Sequence, residues 1–207
     1  MPSAVPTVFL VDDDASVRKA LTRLIKVAGY QVHAFASASE FLDYHPHADG
    51  PACLVLDVRM PGLNGLDLQR ELHDANVPLP IIFITGHGDI PMSVKAMKAG
   101  AVDFLPKPVK DKDLLQAIEQ ALARAALDRS RLAQSQGIQK RLETLTPRER
   151  EVMELVVTGM LNKQVAHKLG TVEKTIKVHR ARVMEKMEVN SLAELVRVAE
   201  RAGLGGK

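Results

Sequence analysis

Apolar residues along this chain fall into two regimes. Up to about residue 105 they gather in short runs that end abruptly in polar or turn-forming residues. Residues 8–11 run into Asp12, Asp13 and Asp14, and residues 53–56 stop on Asp57, with a Pro61-Gly62 turn beyond. Residues 80–84 end at Thr85-Gly86, and residues 102–105 run into Pro106-Lys107-Pro108. With a further run at 32–35, these patterns predict five buried strands. Between them apolar residues recur at helical spacing. Val17, Leu21, Leu24, Ile25 and Ala28 share one face, closed by Gly29, and Ser37 with Glu40 caps a short helix carrying Phe41 and Leu42. Later helices carry Leu66, Leu68 and Leu72, span about 91–99 up to Gly100, and carry Leu114, Leu115, Ile118 and Leu122. Five strands alternating with five helices predict an α/β doubly wound five-stranded parallel sheet.

After residue 126 the strand signals stop. High helix propensity without proline predicts that the last helix runs on into a connector, with Gly137 as the expected break. Apolar positions in the connector are sparse and small, which favours a solvated spacer, with a weak dimer seam as the sharper alternative. The remainder predicts a small all-α domain of four helices. Thr146 caps the first, Pro147 takes its first position, and Glu149 and Glu151 lie in its first turn. Asn162 is expected to cap the second, which carries Val165, Ala166 and Leu169 and ends at Gly170. Thr171 and Val172 open the third, with Ile176, Val183, Met184 and Met187 on its apolar side, and Ser191 opens the fourth. The tight turn between the second and third helices matches a helix-turn-helix. The expected organisation is a domain over residues 1–126, a helical linker over 127–143 and a second domain over 144–207.

Composition narrows the classes. A chain of 207 residues that is 46% hydrophobic and 26% charged has an ordinary globular profile. No apolar run approaches the roughly 20 residues that a membrane span needs. The first seven residues have no basic region ahead of an apolar one, so they do not read as a signal peptide. The single Cys53 excludes an intramolecular disulfide and a thiolate zinc cluster, and is expected to pack in the core of its strand. A cytoplasmic location without a membrane partner is the economical expectation. The net charge of +3 decides little, but its distribution helps: residues 1–126 carry an excess of acids, and the rest an excess of bases. A polyanion is the expected partner of the back half.

Chemistry collects at the strand ends. In parallel α/β sheets ligands bind at the carboxyl edge. If these ends converge, Asp12, Asp13 and Asp57 crowd together with Thr85 and Lys107 beside them. Crowded carboxylates repel unless a cation neutralises them, and a hard, oxygen-ligated ion such as Mg²⁺ suits the set. A carboxylate can then attack phosphorus, with the Lys107 ammonium and the Thr85 hydroxyl offsetting charge on the transferring group. No Gly-rich phosphate loop precedes a helix, which argues against a nucleotide donor. Taken singly, an Asp at a strand end reads as a turn former or cap, and Lys107 as a surface charge. Their recurrence at successive strand ends changes that reading.

The segments Val11-Asp12-Asp13-Asp14, Leu56-Asp57-Val58-Arg59-Met60-Pro61-Gly62, Ile84-Thr85-Gly86-His87-Gly88-Asp89 and Phe104-Leu105-Pro106-Lys107-Pro108 resemble the flavodoxin-like receiver domain of two-component response regulators, over about residues 6–126. The resemblance implies that Asp57 is the phosphoacceptor, with a phosphohistidine on a cognate sensor histidine kinase as donor. It implies Mg²⁺ (or Mn²⁺) bound by Asp13, Asp57 and the backbone carbonyl of Arg59, with Asp12 acting largely through water. Lys107 then pairs with the phosphoryl group, Thr85 moves toward it, and Gly86 leaves room. Phe104 stands where the family keeps a switch aromatic, and a purely structural Phe104 in the core is the equal alternative. Arg59 and His87 occupy positions that tune acyl-phosphate lifetime in the family.

In the back half, Leu145-Thr146-Pro147-Arg148-Glu149-Arg150-Glu151-Val152, Asn162-Lys163-Gln164-Val165-Ala166 and Thr175-Ile176-Lys177-Val178-His179-Arg180 resemble the LuxR-type helix-turn-helix. The whole chain is similar to FixJ/NarL-type regulators. The resemblance implies promoter duplex DNA as partner, Lys177 and Val178 facing bases, and Thr175, His179 and Lys163 approaching the backbone. Two departures matter. Val172 stands where relatives often have a Ser cap, so Thr171 is expected to cap one residue early. Ala181 replaces a base-reading Lys or Asn of some relatives, so readout would lean on Arg180 or Arg182.

The combined expectation is a phosphorylation-activated DNA-binding transcriptional regulator rather than an enzyme. Phosphorylation of Asp57 would repack the face formed by the 91–99 helix and the 102–105 strand, and that face would form a homodimer. An aspartate-nucleophile phosphohydrolase is the rival from another class, but it places a second Asp where Arg59 stands. A receiver fused to an RNA-binding antiterminator is a second rival, and the helix-turn-helix pattern argues against it. A receiver acting only as a protein-interaction relay, with structural C-terminal helices, is a third.

Overall fold

The computed structural model describes residues 5–46, 48–86 and 90–204. The chain divides into two compact units, Met1–Arg129 and Ser130–Lys207. In the first, strands β1 (Thr7–Val11), β2 (Gln31–Phe35), β3 (Ala52–Asp57), β4 (Ile81–Thr85) and β5 (Asp103–Pro106) alternate with helices α1 (Ala15–Val27), α2 (Ala38–Asp43), α3 (Gly65–Asp74) and α4 (Ile90–Lys98), and α5 (Asp111–Glu143) follows. The sheet is parallel with strand order β2-β1-β3-β4-β5.

Alternation along the central strands explains the layering. Successive side chains leave a strand on opposite faces, and helices cover both. Phe9, Leu54, Leu56 and Phe83 point to one side and pack with Leu68, Leu72 and Ala96 from α3 and α4. Val8, Leu10, Val55 and Ile82 point to the other and meet Ile25 of α1 with Leu114 and Ile118 of α5. Cys53 is sealed in β3 at 0% exposure, and burial pushes its thiol up to about 12, so it behaves as a small apolar residue. Gly29 (φ 92°) takes the left-handed turn after α1 that a side chain would resist.

Helix α5 runs unbroken for 33 residues, straight through Gly137. The expected break is absent because one glycine costs a helix only about 1 kcal/mol relative to alanine, and the residues just beyond it are anchored. Ile138 (4% exposed) and Leu142 (3%) are buried in the core of the second unit. The stretch expected to be a solvated spacer therefore divides: Leu127 and Leu132 are exposed, whereas its last turn is core.

The second unit adds α6 (Pro147–Val157), α7 (Asn162–Lys168), α8 (Glu173–Lys186) and α9 (Leu192–Arg201). Val152 and Val156 of α6, Val165 of α7, Ile176 and Val183 of α8 and Leu195 of α9 form its centre. Thr146 caps α6, as the sequence predicts, and the Glu149 side chain accepts from the Thr146 N–H in return, which completes a capping box. Two capping expectations need correction. Asn162 is the first residue of α7 rather than its cap: Leu161 holds the cap position, and its N–H donates to the Gln164 side chain at 2.8 Å. Thr171 does not cap α8. Val172 occupies that position without a side-chain bond, while the Thr171 N–H donates to the Ala166 carbonyl (3.0 Å) and closes the tight turn after α7.

Candidate functional site

Strand register assembles the carboxylates. Val11 pairs with Leu56, so the next residues, Asp12 and Asp57, emerge side by side. Asp57 pairs with Ile84, and Thr85 with Pro106, which brings Thr85 and Lys107 to the same edge. Asp12 is 0% exposed, Asp57 5% and Thr85 1%, while Asp13 is open to solvent. Carboxylate oxygens of Asp12, Asp13 and Asp57 lie within 4.8 Å of one another. The third residue of the acidic run does something else: Asp14 caps α1, accepting from the Ser16 and Val17 N–H groups and the Ser16 hydroxyl. Those bonds, the Ser16 hydroxyl's first, hold its carboxyl below the usual range.

The Lys107 ammonium donates to Asp12 at 2.6 Å and to Asp57 at 2.5 Å. Burial raises Asp12 above the ordinary carboxylate range against the pull of the Lys107 hydrogen bond. Burial also works to lower Lys107, but its bonds to the two aspartates outweigh it and the ammonium titrates higher than usual. The Arg59 N–H donates to Asp57 Oδ1 at 3.1 Å, which wraps the loop after β3 around the carboxylate. This donor set is all hard oxygen and mostly anionic, which fits Mg²⁺ or Mn²⁺ and would suit neither a soft nor a nitrogen-loving metal.

Two supporting residues escape a reading of the sequence. Gly65 opens α3 against β3: a Cβ there would lie 2.4 Å from the Asp57 carbonyl oxygen and 3.0 Å from Val58 Cα. The only sequence signal is the glycine after Asn64, which itself caps α3. Arg18 of α1 donates to the Asp12 backbone carbonyl at 2.6 Å, and nothing in its spacing announces that. Among the described residues, a Cβ at Gly86 would meet nothing within 4 Å. Phe104 is half-buried, 6.2 Å from the Phe83 ring, and packs at the margin of the core. His87, Gly88 and Asp89 lie outside the described residues.

On α8, Lys174, Lys177, Val178, Ala181 and Arg182 are exposed. Their spacing places them on one face of the helix, opposite Ile176 and Val183. Thr175, His179 and Arg180 flank that face half-buried, and Lys163 is exposed near the start of α7. The His179 Nδ1 atom is buried without a partner among the described residues. Arg180 donates to the Asn162 side chain at 3.2 Å, tying α8 to α7, whereas Arg182 stands clear on the open face. Lys177 pairs with Glu173 at 3.2 Å. An exposed pair of that kind is worth only a few tenths of a kcal/mol, so a phosphate can displace it. From the other side, Lys186 at the end of α8 bonds the buried Glu149 of α6 at 2.6 Å and fixes the helix from behind.

The receiver-domain family model, described as the response regulator receiver domain, matches residues 8–119. The model described as bacterial regulatory proteins of the luxR family matches residues 143–199. The chain is 52% identical over 197 residues to nodulation protein W of Bradyrhizobium diazoefficiens, covering 95% of this chain and 86% of that protein. It is 46% identical over 197 residues to the transcriptional regulatory protein FixJ of the same organism, covering 95% and 96%. Among solved structures it matches the response regulator StyR with a TM-score of 0.86 at 48% identity, over 96% of this chain and 100% of that one. It matches full-length FixJ from B. japonicum with a TM-score of 0.58 at 45% identity, over 96% and 97%. Among the described residues no helix is long and apolar enough to cross a membrane. With a carboxylate edge under one family model, a helix-turn-helix under the other and relatives near half identity along its length, the chain belongs to the two-component response regulators that are DNA-binding transcriptional regulators of the LuxR type.

Proposed function

We propose that Asp57 is the phosphoacceptor and that its phosphorylation by a cognate sensor histidine kinase switches DNA binding on. The observation that carries this is the Lys107 ammonium bonded at once to Asp12 and Asp57 at the carboxyl edge of the sheet. A carboxylate oxygen of Asp57 forms the bond to phosphorus as the bond from phosphorus to the kinase imidazole breaks, and that imidazole takes up a proton. Lys107 is already within hydrogen-bond reach of Asp57, so it meets the incoming phosphoryl oxygens without a large excursion. Asp13, Asp57 and the Arg59 carbonyl would hold Mg²⁺ or Mn²⁺, with Asp12 contributing largely through water, and the ion would supply positive charge against the same oxygens. Thr85 then shifts toward the phosphoryl group, and Phe104, at the margin of the core, follows.

The rearranged face of α4 and β5 pairs two chains, which places two α8 helices over a roughly palindromic promoter site. Lys177 and Val178 face bases, with Arg182 beside them, while Lys163, Thr175 and His179 approach the backbone. Arg180, held by Asn162, sets the angle of α8 and reaches DNA from its edge. The functional limits are a receiver over residues 1–126, a helical linker over 127–143 and a DNA-binding domain over 144–207. The protein works in the cytoplasm, where its kinase and DNA are accessible.

The experiment incubates the protein with Mg²⁺ and acetyl phosphate beside Asp57→Asn, then measures mass by light scattering and promoter affinity at fixed salt. The wild type should double in mass and bind DNA more tightly, and Asp57→Asn should do neither. Unchanged mass and affinity in the phosphorylated wild type would overturn the gating reading.

A further inference from the structure

At the opposite end of β4 from Thr85, the first unit forms a half-open pocket of about 620 Å³ among α3, the segment leading into β4, α4 and α5. That volume lies within the range of about 300–1,000 Å³ typical of small-molecule sites. Leu66, Val77, Leu79 and Ile81 contribute its apolar lining, and Arg70, Lys95, Lys98 and Arg124 stand around them. Asp128 is the one acid among the described lining residues. We propose that this pocket binds an amphiphilic anion: a small molecule with an aromatic or alkyl body and a carboxylate, sulfonate or phosphate head.

The competing explanation is that the bases only complement helix ends. Both α3 and α4 finish here, each with a basic residue in its last turn. A helix C-terminus is worth about half a negative charge, so the two ends and Asp128 together offset about two of the four cations. About two positive charges remain. Arg70 is partly engaged by Asp67 at 3.3 Å in an exposed pair, and setting it aside still leaves the lining positive. A floor of aliphatic side chains under an uncompensated positive rim favours a ligand that carries both features over a simple inorganic anion or a neutral hydrocarbon.

The site has a built-in connection to α4. Gln69 of α3 is buried and donates to the Ala96 and Ala99 carbonyls, at 3.3 Å and 3.2 Å. A ligand wedged between the two helices therefore bears on α4 directly. Binding itself does not depend on the phosphorylation reading, and the test uses the unphosphorylated full chain.

The probe is 8-anilinonaphthalene-1-sulfonate, titrated into the protein while backbone amide shifts are followed. The site predicts saturable one-to-one binding with the largest shifts at Val77, Leu79 and Ala99. Replacing the two rim cations together (Lys98→Glu with Arg124→Glu) should weaken binding at least tenfold, and Ala99→Phe should fill the space and abolish it. The uncharged analogue N-phenyl-1-naphthylamine should bind at least tenfold more weakly. Shifts centred elsewhere, or equal affinity for the charge-reversed protein, would overturn the proposal. A cooperative melt of each variant shows that it is folded, and if Ala99→Phe is not, the charge-reversed pair and the uncharged analogue decide alone.

Discussion

Asp57 owes its position to a residue with no side chain. Gly65 sits so close to β3 that any Cβ would collide with backbone atoms, and backbone cannot step aside as a flexible side chain can. Gly65→Ala should therefore cost about 1–3 kcal/mol, the usual range for overpacking, and should slow phosphorylation by acetyl phosphate because the Asp57 carboxylate is displaced. Urea denaturation and the phosphorylation rate check the two parts, and a stable, fully active variant would show that the α3 start can slide. At this scale the acidic run was legible as a site but not in its division of labour. Asp12 is buried and bonded to Lys107, while Asp14 caps a helix in open solvent. Residues adjacent in sequence carry the same local signal, and only the direction in which β1 ends separates them.

At the scale of elements, α8 is held at its middle and its last turn by contacts that periodicity does not reveal. The pair from Lys186 to Glu149 joins its last turn to the first turn of α6 and, with the capping bonds, takes Glu149 down to about 2 from its ordinary 4.5. A carboxyl depressed on folding stabilises fully above its unfolded value and loses that stability as pH falls through the folded one. The second unit should thus lose stability between about pH 4.5 and 2, by about 1–2 kcal/mol after solvent screening. Glu149→Gln should flatten that part of the profile, and melts of residues 130–207 across the window measure it. The arginines of α8 separate in the same way. Arg182→Ala should weaken promoter binding by about 1–3 kcal/mol with the melting temperature unchanged. Arg180→Ala should lower both, because it also releases Asn162. A double readout of affinity and melting distinguishes the two. From sequence either arginine could supply the base reading that Ala181 lacks, since the spacing of neither shows which one turns back to α7.

For the whole molecule, α5 belongs to two cores. Leu114, Ile118 and Ala121 pack on the sheet, and Ile138 and Leu142 pack among α6–α9. A fragment of residues 144–207 lacks both of the latter and should be less stable than one of residues 130–207 by about 3–5 kcal/mol, the usual worth of two buried aliphatic side chains. Chemical denaturation of the two fragments compares them, and equal midpoints would show that the last turn of α5 contributes nothing to that core.

Short-range periodicity encodes the part of this fold that can be read from the chain alone. Alternation and bounded apolar runs specified five parallel strands, helical spacing specified the elements between and after them, and the polar residues at strand ends pointed to the carboxylate edge. These signals are local because backbone geometry repeats every two residues in a strand and every 3.6 in a helix. The tertiary structure decided what depends on chain segments far apart meeting: Lys107 across 95 residues to Asp12, Gly65 against the back of Asp57, Gln69 under α4, the continuity of α5 through Gly137, and a basic pocket assembled from three helices and a strand. Of these, only the meeting of Lys107 with Asp12 was foreshadowed, by strand ends that share one edge; the others have no signal in the local sequence, and packing alone brings them about.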